Sequence, residues 1–326
     1  DKGICAVLRA RGYEAYPVRS WKGTLLSLRA GCTFIGALMQ PPNWRLGGGT
    51  RLMQLWHGKS VKKTGHNSPY SLSRYHRLRM PHLFVRYDKF VGVSECLAAF
   101  TAQDFRVPKG TFLMSGAPKY DVLVHPVADA DIDQDEHLLN VIESLRALCP
   151  KKLLLYGPTF RPSGKTPLDS LPLDRFDAFL RQRGYFVIMT LHPKFSAKDW
   201  MPKTAFTNVR FSRGDADMYP LLSRFDGLIT DYSSLIMDFL FMDKPVIRFA
   251  PDFHAYQADM GVYEELWSLV PGPKAYTFEE LLRVLPEGAE QPSEQRQRAR
   301  DVLFPVRDGN ACARIYREVE RFCEKR

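Results

Sequence analysis

The sequence of 326 residues lacks any uninterrupted apolar run close to the roughly 20 residues that a membrane-spanning helix requires. It opens without a signal peptide, and its six cysteines form neither a CxxC pair nor a zinc-ligand spacing. Cysteines scattered in this way are typical of reduced thiols in a protein core. These absences predict a cytoplasmic protein with no metal site and no transmembrane anchor.

Acidic residues are also scarce in one segment. The formal net charge of the chain is +10, a surplus that favours anionic partners. Between Lys59 and Lys89 the basic residues alternate with aromatic ones, and Asp88 is the single acid. Such a segment suits an anionic membrane surface, single-stranded nucleic acid or an ordinary solvated face. The candidate basic patch consists of Lys59, Lys62, Lys63, Arg74, Arg77 and Arg79.

Short apolar runs alternate with helical patterns in two successive stretches of the chain. This alternation predicts two α/β domains with parallel sheets, whose ligands bind at the carboxyl ends of the strands across a cleft. Strands are expected at residues 13–18, 32–38, 51–56, 90–93, 152–156, 186–190, 227–229 and 246–249. Ser94 is a candidate N-cap for a helix at residues 95–105. The predicted segments are residues 1–124, a linker with a connecting helix at 125–150, residues 151–300, and a C-terminal helix at 301–326.

The most informative segment reads ITDYSSLIMD, at residues 229–238, where an apolar strand runs into small hydroxyl residues and then a helix. The glycines of a Walker loop or a dinucleotide fingerprint are missing. A helix start can nevertheless bind an anion through its free N–H groups and its dipole. Thr230, Ser233 and Ser234 are therefore candidate phosphate ligands, although Asp231 or either serine could equally serve as a plain helix cap.

Three further strand ends carry polar residues. The segment LWHG, at residues 55–58, places His57 before a glycine turn, where a histidine could act as a base or be structural. The segment YGPTFRP ends the next candidate strand with Thr159 and Arg161, and LHP ends another with His192. Arginine offers a fork of donors suited to phosphate oxygens. The carboxyl ends of parallel strands share one sheet edge, so these residues are expected to converge.

Five motifs in order resemble the CDP-glycerol glycerophosphotransferase family of teichoic acid and capsule synthesis. They read LWHGKSVKKTG, MSGAPKYDVL, YGPTFRP, LHPK and ITDYSSLIMDFLFMDKPVI, and the closing FPVRDGNACARIYREV is similar to the family's terminal segment. The resemblance covers residues 13–322. It implies a GT-B fold with two Rossmann-like domains facing across a cleft. The first domain would be acceptor- and membrane-facing, and the second would bind the CDP-linked donor.

The resemblance also implies a role for each candidate. His57 would be the catalytic base, with Gly58 supporting it. CDP-glycerol would be bound by Arg161, His192, Thr230, Asp231, Ser233 and Ser234, with support from Thr159 and Asp238. The acceptor would be a polyprenyl-diphosphate-linked saccharide or a growing polymer at the inner face of an anionic membrane. No metal or other obligatory cofactor is expected.

The expected reaction transfers glycerol phosphate from CDP-glycerol to an acceptor hydroxyl and releases CMP. Alternatives are a ribitol-phosphate transferase using CDP-ribitol and a glycosyltransferase or epimerase of the same fold using a UDP-sugar. A nucleic-acid-binding protein would leave LWHG, LHPK and ITDYSS unexplained. Competition between CDP-glycerol and UDP-sugars for binding would distinguish the glycerol-phosphate transferase from an enzyme that uses a UDP-sugar.

Overall fold

The structure, a computed structural model, describes residues 2–36, 49–69, 86–159, 161, 167–190, 205–212 and 217–324. The chain divides into two compact units. The first comprises residues 1–58, 64–133 and 302–326, and the second comprises residues 59–63 and 134–301. A five-residue segment within the N-terminal half of the chain thus belongs to the second unit, and the C-terminal residues belong to the first.

Each unit contains a parallel sheet. The first sheet has the order β1-β2-β3-β4, and the second has the order β10-β9-β8-β5-β6-β7. The strands are β1 Cys32–Ile35, β2 Arg51–Gln54, β3 Lys89–Val91, β4 Phe112–Leu113, β5 Lys152–Tyr156, β6 Tyr185–Thr190, β7 Val209–Ser212, β8 Gly227–Thr230, β9 Val246–Phe249 and β10 Lys274–Ala275. In the second sheet, the short apolar runs of β5, β6, β8 and β9 are almost entirely buried, which is typical of strands covered on both faces.

Helices surround both sheets. Those of the described residues are α1 Lys2–Ala10, α2 Trp21–Arg29, α3 Glu95–Phe105, α4 Asp121–Val124, α5 Glu136–Arg146, α6 Leu173–Arg183, α7 Leu235–Phe241, α8 Phe253–Met260, α9 Glu264–Leu269, α10 Phe278–Ala289, α11 Ser293–Leu303 and α12 Ala311–Glu324. The predicted cap of α3 is confirmed, because Ser94 Oγ accepts a hydrogen bond from the Leu97 N–H at 3.2 Å. No helix of the described residues is both long and apolar enough to cross a bilayer.

The core of the first unit includes the C-terminal helix. Ile315 of α12 packs with Met53 of β2 and Val91 of β3. The carboxylate of Asp121 accepts hydrogen bonds from the first backbone N–H groups of α12, at 2.9 Å from Ala311 N and 2.8 Å from Cys312 N. Because a carboxylate satisfies N–H groups that the helix leaves unpaired, Asp121 fixes the start of α12.

The second unit places three strand ends side by side. Tyr156 of β5 lies opposite Ile229 of β8, and Thr230 of β8 lies opposite Arg248 of β9. Apolar side chains from both the sheet and its helices, among them Leu154, Phe176 and Leu281, form the core beneath this edge. The segments that follow β5, β8 and β9 therefore begin at one edge of one sheet.

Two expectations about local structure are wrong. Residues 13–17 are irregular and residues 18–19 form a turn, so the strand predicted at 13–18 is absent, and Ser20 then caps α2 by accepting from the Gly23 N–H at 3.1 Å. A strand is not formed there because Tyr13 and Val18 are exposed instead of packing on a sheet. The cysteines described at positions 5, 32, 96, 149 and 312 carry free thiols, but each is half-buried or exposed instead of lying in the core.

Candidate active site

Asp231 joins two of the strand ends in the second unit. It directly follows β8 and is 0% exposed. Its Oδ1 atom accepts hydrogen bonds from Thr159 N at 2.8 Å and from Tyr232 N at 2.5 Å. Because two backbone N–H groups share one carboxylate oxygen, Asp231 ties the loop after β5 to the turn after β8.

Arg161 lies against the other oxygen of that carboxylate. Its Nη2 atom is 2.7 Å from Asp231 Oδ2 and 3.0 Å from Asp252 Oδ1, and its Nε atom donates to Asp252 Oδ2 at 2.6 Å. Its Nη1 atom donates to the Thr159 carbonyl at 2.6 Å. Burial tends to lower the pKa of Arg161, but the two carboxylates outweigh this effect and raise it.

The sequence predicts that Arg161 binds the donor phosphates, whereas the structure directs its hydrogen-bond donors into the protein. Arg161 is only 4% exposed, and each of its three nitrogens contacts an oxygen of the second unit. A bidentate guanidinium is well suited to holding two carboxylates in place. In this structure Arg161 therefore cross-links the segments that follow β5, β8 and β9.

Tyrosines enclose the guanidinium. The rings of Tyr232 and Tyr256 stack with centroids 3.8 Å apart, and Arg161 Cζ lies 5.1 Å and 4.8 Å from these centroids. Tyr232 also donates from its hydroxyl to Asp252 Oδ1 at 3.2 Å. Burial raises the pKa of both tyrosines, so their hydroxyls stay neutral near pH 7. The cation thus contacts aromatic faces as well as carboxylates.

Three hydroxyls at this sheet edge are buried without a hydrogen-bond partner among the described residues. They belong to Tyr156, Thr159 and Tyr256. Buried polar groups are normally paired, and an unpaired one costs about 1–3 kcal/mol. These hydroxyls are accordingly available to a ligand or a water molecule.

The predicted phosphate ligands after β8 differ in exposure. Thr230 is buried, and its hydroxyl donates to the Gly157 carbonyl at 2.5 Å, so it binds the neighbouring loop. Ser233 and Ser234 are half-buried at the start of α7. Ser233 Oγ accepts from Leu235 N at 3.3 Å. Asp238 is buried within α7 and accepts from the Tyr219 hydroxyl at 3.2 Å. The two serines are therefore the hydroxyl groups of this turn that remain near the surface.

His57 lies in the first unit, just beyond β2. Its ring is exposed and packs against Trp56, with centroids 4.1 Å apart. Its Nδ1 atom is 3.2 Å from the carbonyl oxygen of Gly36. Because a carbonyl can only accept, this hydrogen bond requires the proton on Nδ1, which leaves the Nε2 atom of the neutral ring as the base.

The turn around His57 is conformationally constrained. Trp56 has a φ of 55°, which is uncommon for a non-glycine residue, and Gly58 has a φ of 110°. A Cβ atom at Gly58 would lie 2.9 Å from Lys119 Nζ, so glycine allows the ammonium to approach this turn. Lys119 belongs to the MSGAPKYDVL motif, none of whose residues was predicted to have a role. The structure places the Lys119 ammonium against Gly58, the residue that follows His57.

Lys59 is buried, and Lys62 and Lys63 are half-buried, so these three lysines are less exposed than the basic surface that the sequence predicts. They belong to the second unit, and Lys59 is 6% exposed. The Lys59 ammonium lies 4.5 Å from the ring centroid of Tyr263 and donates to the Lys62 carbonyl at 3.2 Å. These lysines are less exposed than predicted because their segment pairs with residues 261–263.

The structure brings together Arg161, Thr159 and the 230–234 turn. It also adds Asp252 and Tyr256, which the sequence analysis missed. Asp252 is three residues beyond the end of β9. Because ligands bind at the carboxyl ends of parallel strands, this position could have marked Asp252 as a candidate. His192, Arg74, Arg77 and Arg79 lie outside the described residues.

The chain is similar in sequence to a known family and to individual proteins. Residues 7–321 match the family described as CDP-glycerol:poly(glycerophosphate) glycerophosphotransferase. The chain is 28% identical over 284 residues to the teichoic acid ribitol-phosphate primase of Bacillus spizizenii, covering 82% of this chain and 68% of the primase. It is 27% identical over 224 residues to the teichoic acid glycerol-phosphate primase of the same organism, covering 68% of this chain and 56% of that primase.

Solved structures show the same fold. The wall teichoic acid polymerase TagF matches with a TM-score of 0.75 and 20% identity, covering 96% of this chain and 78% of the TagF chain. A TagF variant soaked with CDPG matches with a TM-score of 0.72 and 20% identity, covering 96% and 77%. A UDP-GlcNAc 2-epimerase from Neisseria meningitidis matches with a TM-score of 0.60 and 12% identity, covering 98% and 89%.

Proposed function

Because the chain belongs to the CDP-glycerol:poly(glycerophosphate) glycerophosphotransferase family, we propose that it transfers glycerol phosphate from CDP-glycerol to a lipid-linked acceptor. The family resemblance and the GT-B fold predicted from the motifs are both confirmed. The predicted enzyme class, a phosphotransferase of teichoic acid synthesis, is the class of the family and of the named relatives. The UDP-sugar alternative shares the fold but not the family.

In the proposed reaction, the acceptor hydroxyl gives its proton to His57 Nε2, and its oxygen attacks the phosphorus that carries the polyol. The bond from this phosphorus to the oxygen of CMP breaks, CMP leaves, and a new phosphodiester forms. This chemistry asks the protein mainly to position the reactants and to stabilise charge on the phosphate oxygens. The hydrogen bond between His57 Nδ1 and Gly36 O supports the role of base, because it orients the ring and leaves Nε2 unprotonated.

The observation that carries the proposal for the donor is the cross-linked sheet edge of the second unit. Arg161 and Asp231 hold the turn after β8, which presents Ser233 and Ser234 near the surface. Arg161, Thr159, Thr230, Asp231 and Asp238 then act as the frame of the donor site. The two serine hydroxyls contact phosphate, and His192 remains the proposed additional phosphate ligand.

Glycerol is proposed as the polyol because the matching family is described by its glycerophosphate chemistry. Ribitol remains the second candidate, since relatives of both kinds match this chain. Purified enzyme supplied with equal concentrations of CDP-glycerol and CDP-ribitol should incorporate glycerol phosphate at least tenfold faster. Preferential incorporation of ribitol phosphate would assign the enzyme to the ribitol class.

We further propose that the enzyme works at the surface of an anionic membrane. In α2, Trp21, Leu25 and Leu28 recur at helical spacing and are exposed, and Lys22 and Arg29 flank them. Apolar side chains with neighbouring cations suit the interface of anionic lipids. These exposed side chains of α2 support the proposed membrane contact and lie outside the basic stretch between Lys59 and Lys89.

The test of function is CMP release from CDP-glycerol with and without a synthetic lipid diphosphate-linked sugar, with His57→Ala in parallel. We expect acceptor-dependent release that falls about 10²- to 10⁴-fold in the variant, the usual contribution of a general base. The affinity for CDP-glycerol should stay within twofold. Equal release of CMP by both proteins would overturn the assignment of His57. Because no metal is proposed, a chelator should not diminish the release of CMP.

A further inference from the structure

The segment Lys59–Lys63 is anchored to the second unit by its backbone. Lys63 N donates to the Gly261 carbonyl at 2.9 Å, and Tyr263 N donates to the Val61 carbonyl at 2.8 Å. Lys62 and Val262 form an antiparallel bridge, and the Val61 side chain is completely buried. These contacts fix the position of residues 59–63, which are referred to below as the strap.

The outer lysines of the strap already have partners. Lys59 Nζ donates to the Lys62 carbonyl at 3.2 Å and lies over the ring of Tyr263. Lys63 Nζ lies 5.6 Å from the centroid of the same ring. Both cations therefore stabilise the strap against Tyr263.

Lys62, between them, has a different environment. The strap pairs with residues 261–263, which directly follow α8, and Tyr256 of that helix stacks on Tyr232 and lies against the Arg161 guanidinium. The charge of Asp231 favours the ammonium form of Lys62, and that of Arg161 disfavours it. Burial lowers the pKa of Lys62 from its usual value. The strap thus carries a partly buried cation to the charge cluster that frames the turn after β8.

The acids of this cluster already have other partners. Asp231 Oδ1 accepts from two backbone N–H groups, and Asp231 Oδ2 contacts Arg161. Asp252 accepts from Arg161 and from Tyr232. No hydrogen bond or ion pair links Lys62 Nζ to another residue in the described part of the chain. Because Asp231 and Asp252 are already paired with other groups, a partly buried ammonium at Lys62 would be stabilised by a further anion.

We infer that Lys62 is a donor-binding residue, and that its ammonium binds an oxygen of the nucleoside diphosphate beside the 231–234 turn. This inference rests on the proposed function, because a diphosphate donor supplies the anion. It gives the strap a chemical role in place of the membrane contact that the sequence suggested. Since Arg161 is engaged by Asp231 and Asp252, Lys62 supplies the cation that Arg161 was expected to provide.

The test compares Lys62→Met with Lys151→Met by calorimetric titration of the full chain. Methionine keeps most of the length of lysine and removes its charge. Lys151 is an exposed lysine of the same unit and serves as the matched control. The probes are CDP-glycerol and inorganic pyrophosphate, which shares the phosphates but lacks the base and the polyol.

A charge-assisted hydrogen bond contributes about tenfold to a hundredfold in affinity. We therefore expect Lys62→Met to bind both probes at least tenfold more weakly, with Lys151→Met within twofold of the parent. Lys62→Arg should recover part of the loss, because it restores the charge. If Lys62→Met does not fold, Lys62→Gln provides the same comparison, and circular dichroism verifies the fold of each variant.

The two probes separate the inference from the proposed function. Weaker pyrophosphate binding by Lys62→Met, combined with no binding of CDP-glycerol by the parent, would support Lys62 as a diphosphate ligand and overturn the proposed donor. Unchanged affinity for pyrophosphate in Lys62→Met would overturn the inference whatever the donor is. An equal loss in Lys151→Met would also overturn it, since the effect would then be one of general charge.

Discussion

The two units of this protein hold their candidate functional groups in opposite ways. His57 in the first unit is exposed and lies beside the ring of Trp56 and the carbonyl of Gly36. Arg161 in the second unit is buried between two carboxylates and two tyrosine rings. With the proposed roles, we expect that His57 can be replaced with little loss of stability, whereas replacing Arg161 should change stability and donor binding together. Substitutions can test this contrast directly.

The largest expected effect is at Arg161. Removing one partner of a buried ion pair leaves an uncompensated charge and costs about 3–5 kcal/mol. Arg161→Ala should therefore lower the free energy of unfolding by that amount, as measured by urea denaturation. His57→Ala should change it by less than about 0.5 kcal/mol, the usual range for a surface substitution. Similar losses of unfolding free energy in the two variants would contradict the difference between the two sites.

A double substitution sharpens the same comparison. If Arg161 acts through Asp231 and Asp252, then Arg161→Ala should lower the free energy of unfolding by less when both acids have been replaced with asparagine. Fewer buried charges then remain unpaired. Donor affinity should fall in Arg161→Ala together with stability. A variant that loses donor affinity at full stability would instead restore the direct phosphate contact expected from the sequence.

The next effect concerns a buried carboxylate of the first unit. Asp121 accepts from the N–H groups of Ala311 and Cys312, so Asp121→Ala should cost about 1–2 kcal/mol through loss of the helix cap. Asp121→Asn keeps one oxygen acceptor and should cost less. Proteolysis should also begin at the C-terminal helix in Asp121→Ala, as detected by mass spectrometry. Unchanged protection of residues 311–324 would show that the core contacts of Ile315 suffice.

A smaller effect is expected at the exposed helix of the first unit. Trp21 is 82% exposed, and its removal should weaken binding to vesicles containing anionic lipid by about tenfold, near the free energy of burying one large apolar side chain. Leu148 of the second unit is 64% exposed and serves as the control. Equal losses from Trp21→Ala and Leu148→Ala, measured by co-sedimentation, would contradict a specific membrane-facing surface.

The smallest effect is at an exposed ion pair of the second unit. Arg175 and Glu279 lie 3.1 Å apart, and both side chains are mostly in solvent. Arg175→Ala should therefore change the free energy of unfolding by less than about 1 kcal/mol, because solvent screens the pair. Measured beside Arg161→Ala, it separates the effect of burial from that of losing an arginine. A loss as large as that at Arg161 would contradict the role of burial.

Local sequence patterns predicted much of the fold. The strands at residues 152–156 and 246–249 have the predicted bounds, and Ser94 caps α3 as expected. These elements depend on apolar runs and on a capping hydroxyl, which act between residues close in sequence. Residues 13–18 were wrongly predicted to be a strand because a local pattern does not reveal whether a sheet is available to pair with it.

The order of motifs was enough to identify the family and to mark the strand ends where polar residues gather, because parallel strands bring their carboxyl ends to one sheet edge. The roles at that edge depend on contacts between residues far apart in the chain. Arg161 meets Asp252 across 91 positions, and Asp121 meets Ala311 across 190. Lys62 is flanked in the sequence by segments of the first unit, but it folds as part of the second unit. No local pattern encodes such pairings, since they arise only when packing brings distant charges together and burial makes their pairing obligatory.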